Sequence, residues 1–164
     1  MMGCGKSKTG PQLAKSLNYK FVDLDSLIEK ASKMTISNIF SNYGENQFRE
    51  IETRCLQEVI QYPKLVISTG GGIVTKIENW GILRQGVIIW IDLKKEIAIK
   101  RLRSDIDNRP LLMGKNLEKE YEKIFKSRKN LYSQADLKIE IENENVQEVN
   151  EKILSQIKKE IESN

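Results

Sequence analysis

Gly3-Cys4-Gly5-Lys6-Ser7, near the start of the chain, matches the second half of the phosphate-binding loop pattern G-x-x-x-x-G-K-[ST]. In that pattern the glycines let the backbone approach phosphate oxygens, the lysine neutralises them and the serine binds Mg²⁺. The first glycine would fall immediately before Met1, so the sequence carries half of the pattern. A flexible glycine-rich terminus that happens to contain lysine and serine is the alternative explanation.

The composition is that of one soluble globular domain, which we place at residues 1–164. Of the 164 residues, 39% are hydrophobic and 30% are charged. Because no apolar run reaches the ~20 residues that span a bilayer and no signal segment is present, we expect a cytoplasmic protein without a membrane partner. Two cysteines, Cys4 and Cys55, give neither a disulfide framework nor the spacing of a zinc site.

The net charge is +4 and the chain contains no histidine. Proton transfer would therefore fall to carboxylates or lysines. The lysines are scattered among glutamates, without a basic stripe or aromatic residues for base stacking, so we expect no nucleic-acid partner. Attraction of anionic small molecules explains the positive charge equally well.

Apolar stretches alternate with helical patterns, which is typical of a parallel β-sheet covered by helices on both faces. The predicted strands are 21–25, 65–68, 87–91 and 137–141. The predicted helices are 6–17, 26–33, 35–41, 45–61, 95–103, 117–132 and a closing helix from Val146. Pro11 is expected to kink or end the first helix. The polar segment at about 104–117 is predicted to be a lid.

Asp23 and Asp25 stand two residues apart where the first predicted strand ends. Their side chains should start on the same side and share one site. One carboxylate could hold Mg²⁺ through water while the other accepts a hydroxyl proton. Capping of the following helix is the alternative explanation.

Arginines and glycines supply further candidate residues. Arg49 and Glu52 are three residues apart on a predicted helix, so the glutamate can orient the guanidinium, although an ordinary surface ion pair has the same spacing. Gly70-Gly71-Gly72 after an apolar strand indicates a backbone that a ligand approaches closely, or a simple turn. Arg109 lies in the predicted lid and Arg128 on the helix that follows.

Taken in order, these residues resemble the shikimate kinase family over nearly the whole chain. No single segment is specific, but the ordered set differs from other P-loop kinases of the nucleoside monophosphate kinase type, which share the loop and lid without the arginines and the triple glycine. The resembling segments are Gly3-Cys4-Gly5-Lys6-Ser7, Phe21-Val22-Asp23-Leu24-Asp25, Gly44-Glu45-Asn46-Gln47-Phe48-Arg49 with Glu52, Thr69-Gly70-Gly71-Gly72, Arg109-Pro110-Leu111-Leu112, and Ser127-Arg128 before Leu131-Tyr132.

The resemblance implies an enzyme that uses ATP and Mg²⁺ to phosphorylate shikimate at its 3-hydroxyl, in the route to chorismate and the aromatic amino acids. It implies that Lys6 contacts the phosphates, that Ser7 and Asp23 hold Mg²⁺, and that Asp25 binds the reacting hydroxyl and takes its proton. The implied nucleotide-binding residues are Gly3, Cys4, Gly5, Lys6, Ser7, Lys8 and Arg109. We expect a monomer.

The resemblance also implies how the acceptor is held. Arg49, Arg128 and the Gly71 backbone would bind the substrate carboxylate, and Glu52 would support Arg49. Arg109 would enter with the lid and neutralise charge on the transferred phosphoryl group. Lys6, Asp25 and Arg109 are then the catalytic residues.

The fold implied by the resemblance is a three-layer α/β/α P-loop kinase fold, with a substrate-binding segment at about 24–52. Its parallel sheet has five strands in the order 2-3-1-4-5, and the sequence lacks strand 1. In that order, strand 1 lies between the strands that end at Ser68 and Ile91. We expect those two strands to lose a partner unless they close on each other, and upstream residues to supply the strand and the first glycine.

Two other functions fit part of the pattern. One is a kinase for another small hydroxy acid, such as gluconate. The other is a non-catalytic, ligand-binding remnant of a P-loop kinase, because the loop is incomplete. Segment 142–145 lacks the arginine that many family members place near the adenine, so we expect weaker adenine contacts there.

Overall fold

The computed structural model describes residues 2–103, 110–112 and 116–163. Helices and strands alternate through these residues, which confirms the predicted α/β class. In chain order they are α1 (Lys6–Leu17), β1 (Lys20–Asp23), α2 (Leu24–Ser32), α3 (Ile36–Val59), β2 (Leu65–Ser68), a 3₁₀ turn (Ile73–Thr75), α4 (Ile77–Leu83), β3 (Ile89–Leu93), α5 (Lys95–Arg103), α6 (Leu117–Tyr132), β4 (Leu137–Ile141) and α7 (Val146–Ser163). None of the helices in the described ranges is both long and apolar enough to cross a membrane.

The strands form two parallel pairs. β1 pairs with β2 with Lys20 opposite Leu65, and β3 pairs with β4 with Ile89 opposite Leu137. Within the described residues, the inner strands β2 and β3 do not pair with each other. Each therefore leaves one edge of backbone N–H and C=O groups without a neighbouring strand, as predicted for the order 2-3-1-4-5 without strand 1.

Helix α1 links the two strand pairs. It packs against β1, β2 and α7, and α7 packs against β4. Leu13 and Ala14 are buried on its inner face. The helix continues to Leu17, so Pro11 does not end it, contrary to one predicted outcome. The missing N–H of Pro11 affects the carbonyl of Ser7 alone, and burial of the following turn holds the helix together.

The boundary between β1 and α2 differs from the prediction. The strand ends at Asp23 and the helix begins at Leu24, so Asp25 lies in the first helical turn and not at a strand end. Asp23 Oδ1 accepts a hydrogen bond from Ser26 N at 3.1 Å. This contact caps α2 and starts the helix two residues earlier than predicted.

Helix α3 joins the two predicted helices 35–41 and 45–61. The junction is a kink at Gly44, with φ 79° and ψ 173°. Positive φ is a conformation that glycine adopts without strain. The kink sets the direction of the second half of α3, which carries Arg49 and Glu52.

Helix α4 has no counterpart among the predicted helices. Asn79 and Trp80 are buried on it, and their side chains donate hydrogen bonds to the carbonyls of Ile73 and Val74 at 2.8 and 3.0 Å. These contacts hold the 3₁₀ turn after β2 in a fixed position. That turn directly follows the three glycines.

Candidate active site

Two cavities lie beside the ends of β1 and β2. The first has a volume of about 660 Å³, is lined by Arg49 and Arg128 among others, and is named the arginine cavity. The second has a volume of about 650 Å³, is lined by residues 3–9 among others, and is named the loop cavity. The residues that line both cavities are Ser7, Asp23 and Asp25. The predicted phosphate loop and the predicted acceptor site therefore face each other across these three side chains.

The glycine loop is shaped for the close approach of an anion. Gly3 and Gly5 have φ values of 76° and 87°, which favour glycine. A Cβ on Gly3 would lie 3.2 Å from a backbone oxygen of α5. Gly5 immediately precedes α1, and its carbonyl accepts hydrogen bonds from Lys8 N and Thr9 N, both at 3.0 Å. At a helix start the first N–H groups have no carbonyl of a preceding turn to bond to, which makes such a terminus a general site for anion binding.

Lys6, Lys8 and Arg101 bring positive charge to the loop cavity. Lys6 Nζ lies 3.7 Å from Sγ of Cys4, whose side chain is buried in the core. Arg101 Nη1 donates a hydrogen bond to Gly3 O at 3.4 Å. Arg101 was not predicted from the sequence, because the pattern of α5 does not distinguish which of its basic residues faces the loop.

Ser7 and Asp23, the two residues expected to hold Mg²⁺, are in contact. Ser7 Oγ donates a hydrogen bond to Asp23 Oδ2 at 2.7 Å. Asp23 Oδ1 caps α2, whereas Oδ2 contacts Ser7 beside the glycine loop. Exposed oxygen donors suit Mg²⁺, which retains several water ligands, so the pair fits this ion. No cluster of three metal-binding side chains occurs within the described ranges.

Asp25 and Glu52 converge on Gly70. A Cβ on Gly70 would lie 2.8 Å from Glu52 Oε1 and 3.2 Å from Asp25 Oδ1. These carboxylates therefore occupy the space where a side chain would be. Position 70 therefore has to be glycine because of Asp25 and Glu52 themselves. The sequence had indicated either the close approach of a ligand or a simple turn.

Arg49 lies between two carboxylates. Its Nη1 lies 2.7 Å from Glu52 Oε2, and its Nη2 and Nε lie 3.0 and 3.3 Å from Glu45 Oε1. Arg49 is 7% exposed and Glu52 is fully buried, so the interpretation as an ordinary surface ion pair is wrong. A guanidinium has five N–H donors, and these contacts leave some of them for an anion in the cavity.

Burial and charge shift the pKa values of this pair. Burial would lower the pKa of Arg49, but the Glu52 and Glu45 carboxylates raise it overall. Burial raises the pKa of Glu52, against the opposing effect of Arg49 and with a further rise from Asp25. Glu52 Oε1 has no hydrogen-bond partner within the described residues, so it can accept a hydrogen bond from a ligand hydroxyl or a water.

Arg128 contributes a second buried guanidinium, from α6. Its Nη2 lies 4.0 Å from Glu45 Oε1, the oxygen that also contacts Arg49. A Cβ on Gly72 would lie 2.1 Å from Arg49 Nη2, so that guanidinium lies directly against the glycine backbone. Glu45 thus joins cations from two helices. The sequence analysis gave Glu45 no role, although its i, i+4 spacing to Arg49 was an available signal.

Of the remaining predicted residues, the structure describes Gly71 and part of the lid. Gly71 lines the arginine cavity, and its carbonyl accepts a hydrogen bond from the Tyr132 hydroxyl at 2.5 Å. Pro110 and Leu111, from the predicted lid, line the same cavity. Arg109 lies outside the described residues, as do 104–108 and 113–115 of the lid, so their predicted roles stay predictions.

Comparison with known proteins gives concordant results. The family model described as shikimate kinase matches residues 2–158. The chain is 55% identical to the shikimate kinase of Prochlorococcus marinus (strain NATL2A) over 149 residues, which are 91% of this chain and 75% of that protein. It is 45% identical to the shikimate kinase of Synechococcus sp. (strain RCC307), over 96% of this chain and 80% of the relative.

Solved structures agree with the sequences. The shikimate kinase of Acinetobacter baumannii in complex with shikimate superimposes with a TM-score of 0.93 at 35% identity, over 97% of this chain and 89% of that one. The Aquifex aeolicus enzyme gives a TM-score of 0.83 at 30% identity, over 100% of this chain and 96% of that one. The chain belongs to the shikimate kinase family.

Proposed function

We propose that this chain transfers the γ-phosphoryl group of ATP to the 3-hydroxyl of shikimate, forming shikimate 3-phosphate and ADP on the route to chorismate and the aromatic amino acids. The observation that carries the proposal is the meeting of two cavities at Ser7, Asp23 and Asp25. One cavity offers a phosphate loop and the other offers two buried guanidiniums. A phosphoryl donor and an anionic acceptor can therefore bind on opposite sides of the same three side chains.

On the nucleotide side, the N–H groups at the start of α1 and the Lys6 ammonium bind the phosphates. The loop glycines allow this approach because they carry no side chain. Ser7 and Asp23 hold Mg²⁺, which when bound neutralises charge on the phosphate oxygens. The 2.7 Å contact between their oxygens supports this pairing.

On the acceptor side, Asp25 binds the reacting hydroxyl. Its carboxylate lines both cavities, so it can reach an oxygen at their boundary. It accepts a hydrogen bond from the 3-hydroxyl, orients that oxygen toward the phosphorus, and takes the proton as the new P–O bond forms. The chain has no histidine for this task.

Arg49 and Arg128 hold the substrate carboxylate, with the Gly71 backbone beside them. Planar guanidinium forks fix the orientation of a carboxylate as well as supplying charge. Glu45 and Glu52 set the position of Arg49 before the substrate arrives. The ring hydroxyls are then directed toward Asp25, because the opposite end of the molecule is fixed.

The lid completes the site. Pro110 and Leu111 line the arginine cavity, and Arg109 precedes them in the sequence. Arg109 neutralises charge on the transferred phosphoryl group, where a cation has its largest effect on the rate. Closure of the lid also excludes water, which competes as phosphoryl acceptor.

A coupled assay for ADP tests the proposal. The chain is incubated with ATP and Mg²⁺, and then with shikimate, with gluconate or without an acceptor. We expect rapid ADP formation only when shikimate is the added acceptor. With gluconate, or without an acceptor, ATP should be hydrolysed slowly. Turnover of gluconate without turnover of shikimate would identify a different kinase. Shikimate binding without ADP formation would identify a non-catalytic binding protein.

The role of Asp25 is tested by Asp25→Asn, which keeps the size of the side chain and removes the base. We expect kcat to fall by about 10²- to 10⁴-fold while ATP affinity is retained, because the loss is at the acceptor hydroxyl. Glu58→Gln, which removes one carboxylate from the exposed side of α3, is the control for the change in charge. Near-normal turnover of Asp25→Asn would contradict the assignment.

A further inference from the structure

Tyr132, the last residue of α6, joins two parts of the arginine cavity. Its hydroxyl donates a hydrogen bond to Gly71 O at 2.5 Å, across 61 residues of sequence. Arg128 lies four residues earlier and on the same side of α6, and its positive charge partly offsets the effect of burial on the pKa of the phenol. Gly71 and Arg128 both line the arginine cavity, whereas Tyr132 does not line it. The phenol therefore contacts the cavity wall from behind.

The Tyr132 ring is held in place independently of any ligand. It is 6% exposed and stacks on Trp90 of β3, with 5.8 Å between ring centroids and 30° between planes. Burial raises the pKa of the phenol, so the group remains an O–H donor at neutral pH. A fixed donor that does not ionise is suited to holding a backbone carbonyl.

The three consecutive glycine carbonyls have different partners. Gly70 O accepts from Ile73 N at 3.2 Å, and Gly72 O accepts from Thr75 N at 3.0 Å, both within the turn. Gly71 O is held by a side chain from another helix. Since glycine backbone can adopt many conformations, a contact to the middle carbonyl restricts rotation of that peptide. The planar peptide then also fixes the N–H of the following residue.

We propose that Tyr132 is a positioning residue for the substrate carboxylate: its hydroxyl holds the Gly71 peptide against α6, the helix that also carries Arg128. The inference rests on the proposed function of the arginine cavity as the acceptor site. Tyr132 itself does not touch the substrate. Its effect passes through the Gly71 backbone, which lines the cavity.

Tyr132→Phe tests the proposal, because it removes the hydroxyl and keeps the ring stacked on Trp90. The dissociation constant is measured by calorimetry for shikimate and for methyl shikimate, whose ester carries no charge. We expect the Kd of shikimate to rise about threefold to tenfold, which corresponds to one lost hydrogen bond. The Kd of methyl shikimate should change less than twofold. In steady-state assays KM for shikimate should rise while kcat and KM for ATP are retained.

Tyr121→Phe is the matched control, because Tyr121 is another buried tyrosine of α6 and its ring pairs with Phe125 instead. It should leave both Kd values unchanged. An unchanged Kd for shikimate in Tyr132→Phe, or an equal loss for the acid and the ester, would overturn the proposal and leave Tyr132 a packing residue. If the unsubstituted chain bound shikimate without forming ADP, the proposed function would fail, and the binding comparison would still decide the role of Tyr132.

Discussion

At the scale of single residues, the proposed acceptor site contains a buried cation with several partners. Arg49 directs N–H groups to Glu45 and Glu52 and lies against Gly72, so its fork is oriented before any ligand binds. A lysine ammonium could replace the charge. It could not satisfy both carboxylates and also present two parallel N–H groups to a third.

We therefore expect Arg49→Lys to raise KM for shikimate by roughly 10- to 100-fold, from the loss of charge-assisted hydrogen bonds of about 1.5–3 kcal/mol. The value of kcat should change much less, because binding of the carboxylate is remote from the transferred phosphoryl group. Initial rates at saturating ATP measure both constants. Arg54→Lys, on the exposed side of the same helix, is the control. A KM within twofold of the unsubstituted value would show that Arg49 does not hold the substrate.

At the scale of elements, the turn after β2 is where side chains approach backbone most closely. Asp25 and Glu52 meet at Gly70, and Arg49 lies against Gly72. A Cβ on Gly72 would lie 2.1 Å from Arg49 Nη2, well inside contact distance. Either the guanidinium or the turn has to move to accommodate a methyl group.

Gly72→Ala should displace Arg49 and raise KM for shikimate at least tenfold, with a loss of about 1–3 kcal/mol in the free energy of unfolding from overpacking. Gly86→Ala is the matched control, since a Cβ there meets no atom within 4 Å. Steady-state kinetics and urea unfolding measure the two effects. If Gly72→Ala and Gly86→Ala had the same KM for shikimate and the same free energy of unfolding, the close contact between Gly72 and Arg49 would not matter for substrate binding or stability.

At the scale of the whole molecule, local patterns predicted the strands and the glycine loop, whereas contacts between distant elements were not predictable. The strands 65–68 and 137–141 are seen with these bounds, because an apolar β-branched run in the first and an alternation of apolar and charged residues in the second are local signals. Asp25 was misplaced, because the cap at Asp23 extends α2 into the predicted strand. The contacts of Glu45 with Arg128 and of Tyr132 with Gly71 were not predicted, because the partners lie on different elements. Helix α4 is short, with too few residues to show a helical period.

The two strand pairs form separate sheets in the part of the chain that the structure describes. Within the described residues, β2 pairs with β1 alone and β3 with β4 alone. Open edges that carry unpaired backbone groups lower stability and invite pairing with other chains. Helix α1, which follows the glycine loop, packs directly against β1 and β2 and contacts the other pair through α7, which packs against β4. A strand that leads into Gly3 could thus pair with both open edges at once.

We expect a version of the chain extended ahead of Met1 by a short, β-branched apolar segment and the first glycine of the loop pattern to be more stable by roughly 3–6 kcal/mol, from several backbone hydrogen bonds at about 1 kcal/mol each. A glycine- and serine-rich extension of equal length is the control, since it adds the same chain without strand propensity. Urea unfolding gives the free energy of each version, and the ADP assay gives its activity. The apolar extension should also lower KM for ATP, because a strand leading into Gly3 would fix the proposed phosphate-binding loop. Equal unfolding midpoints for the two extended versions would mean that the apolar segment does not pair with β2 and β3.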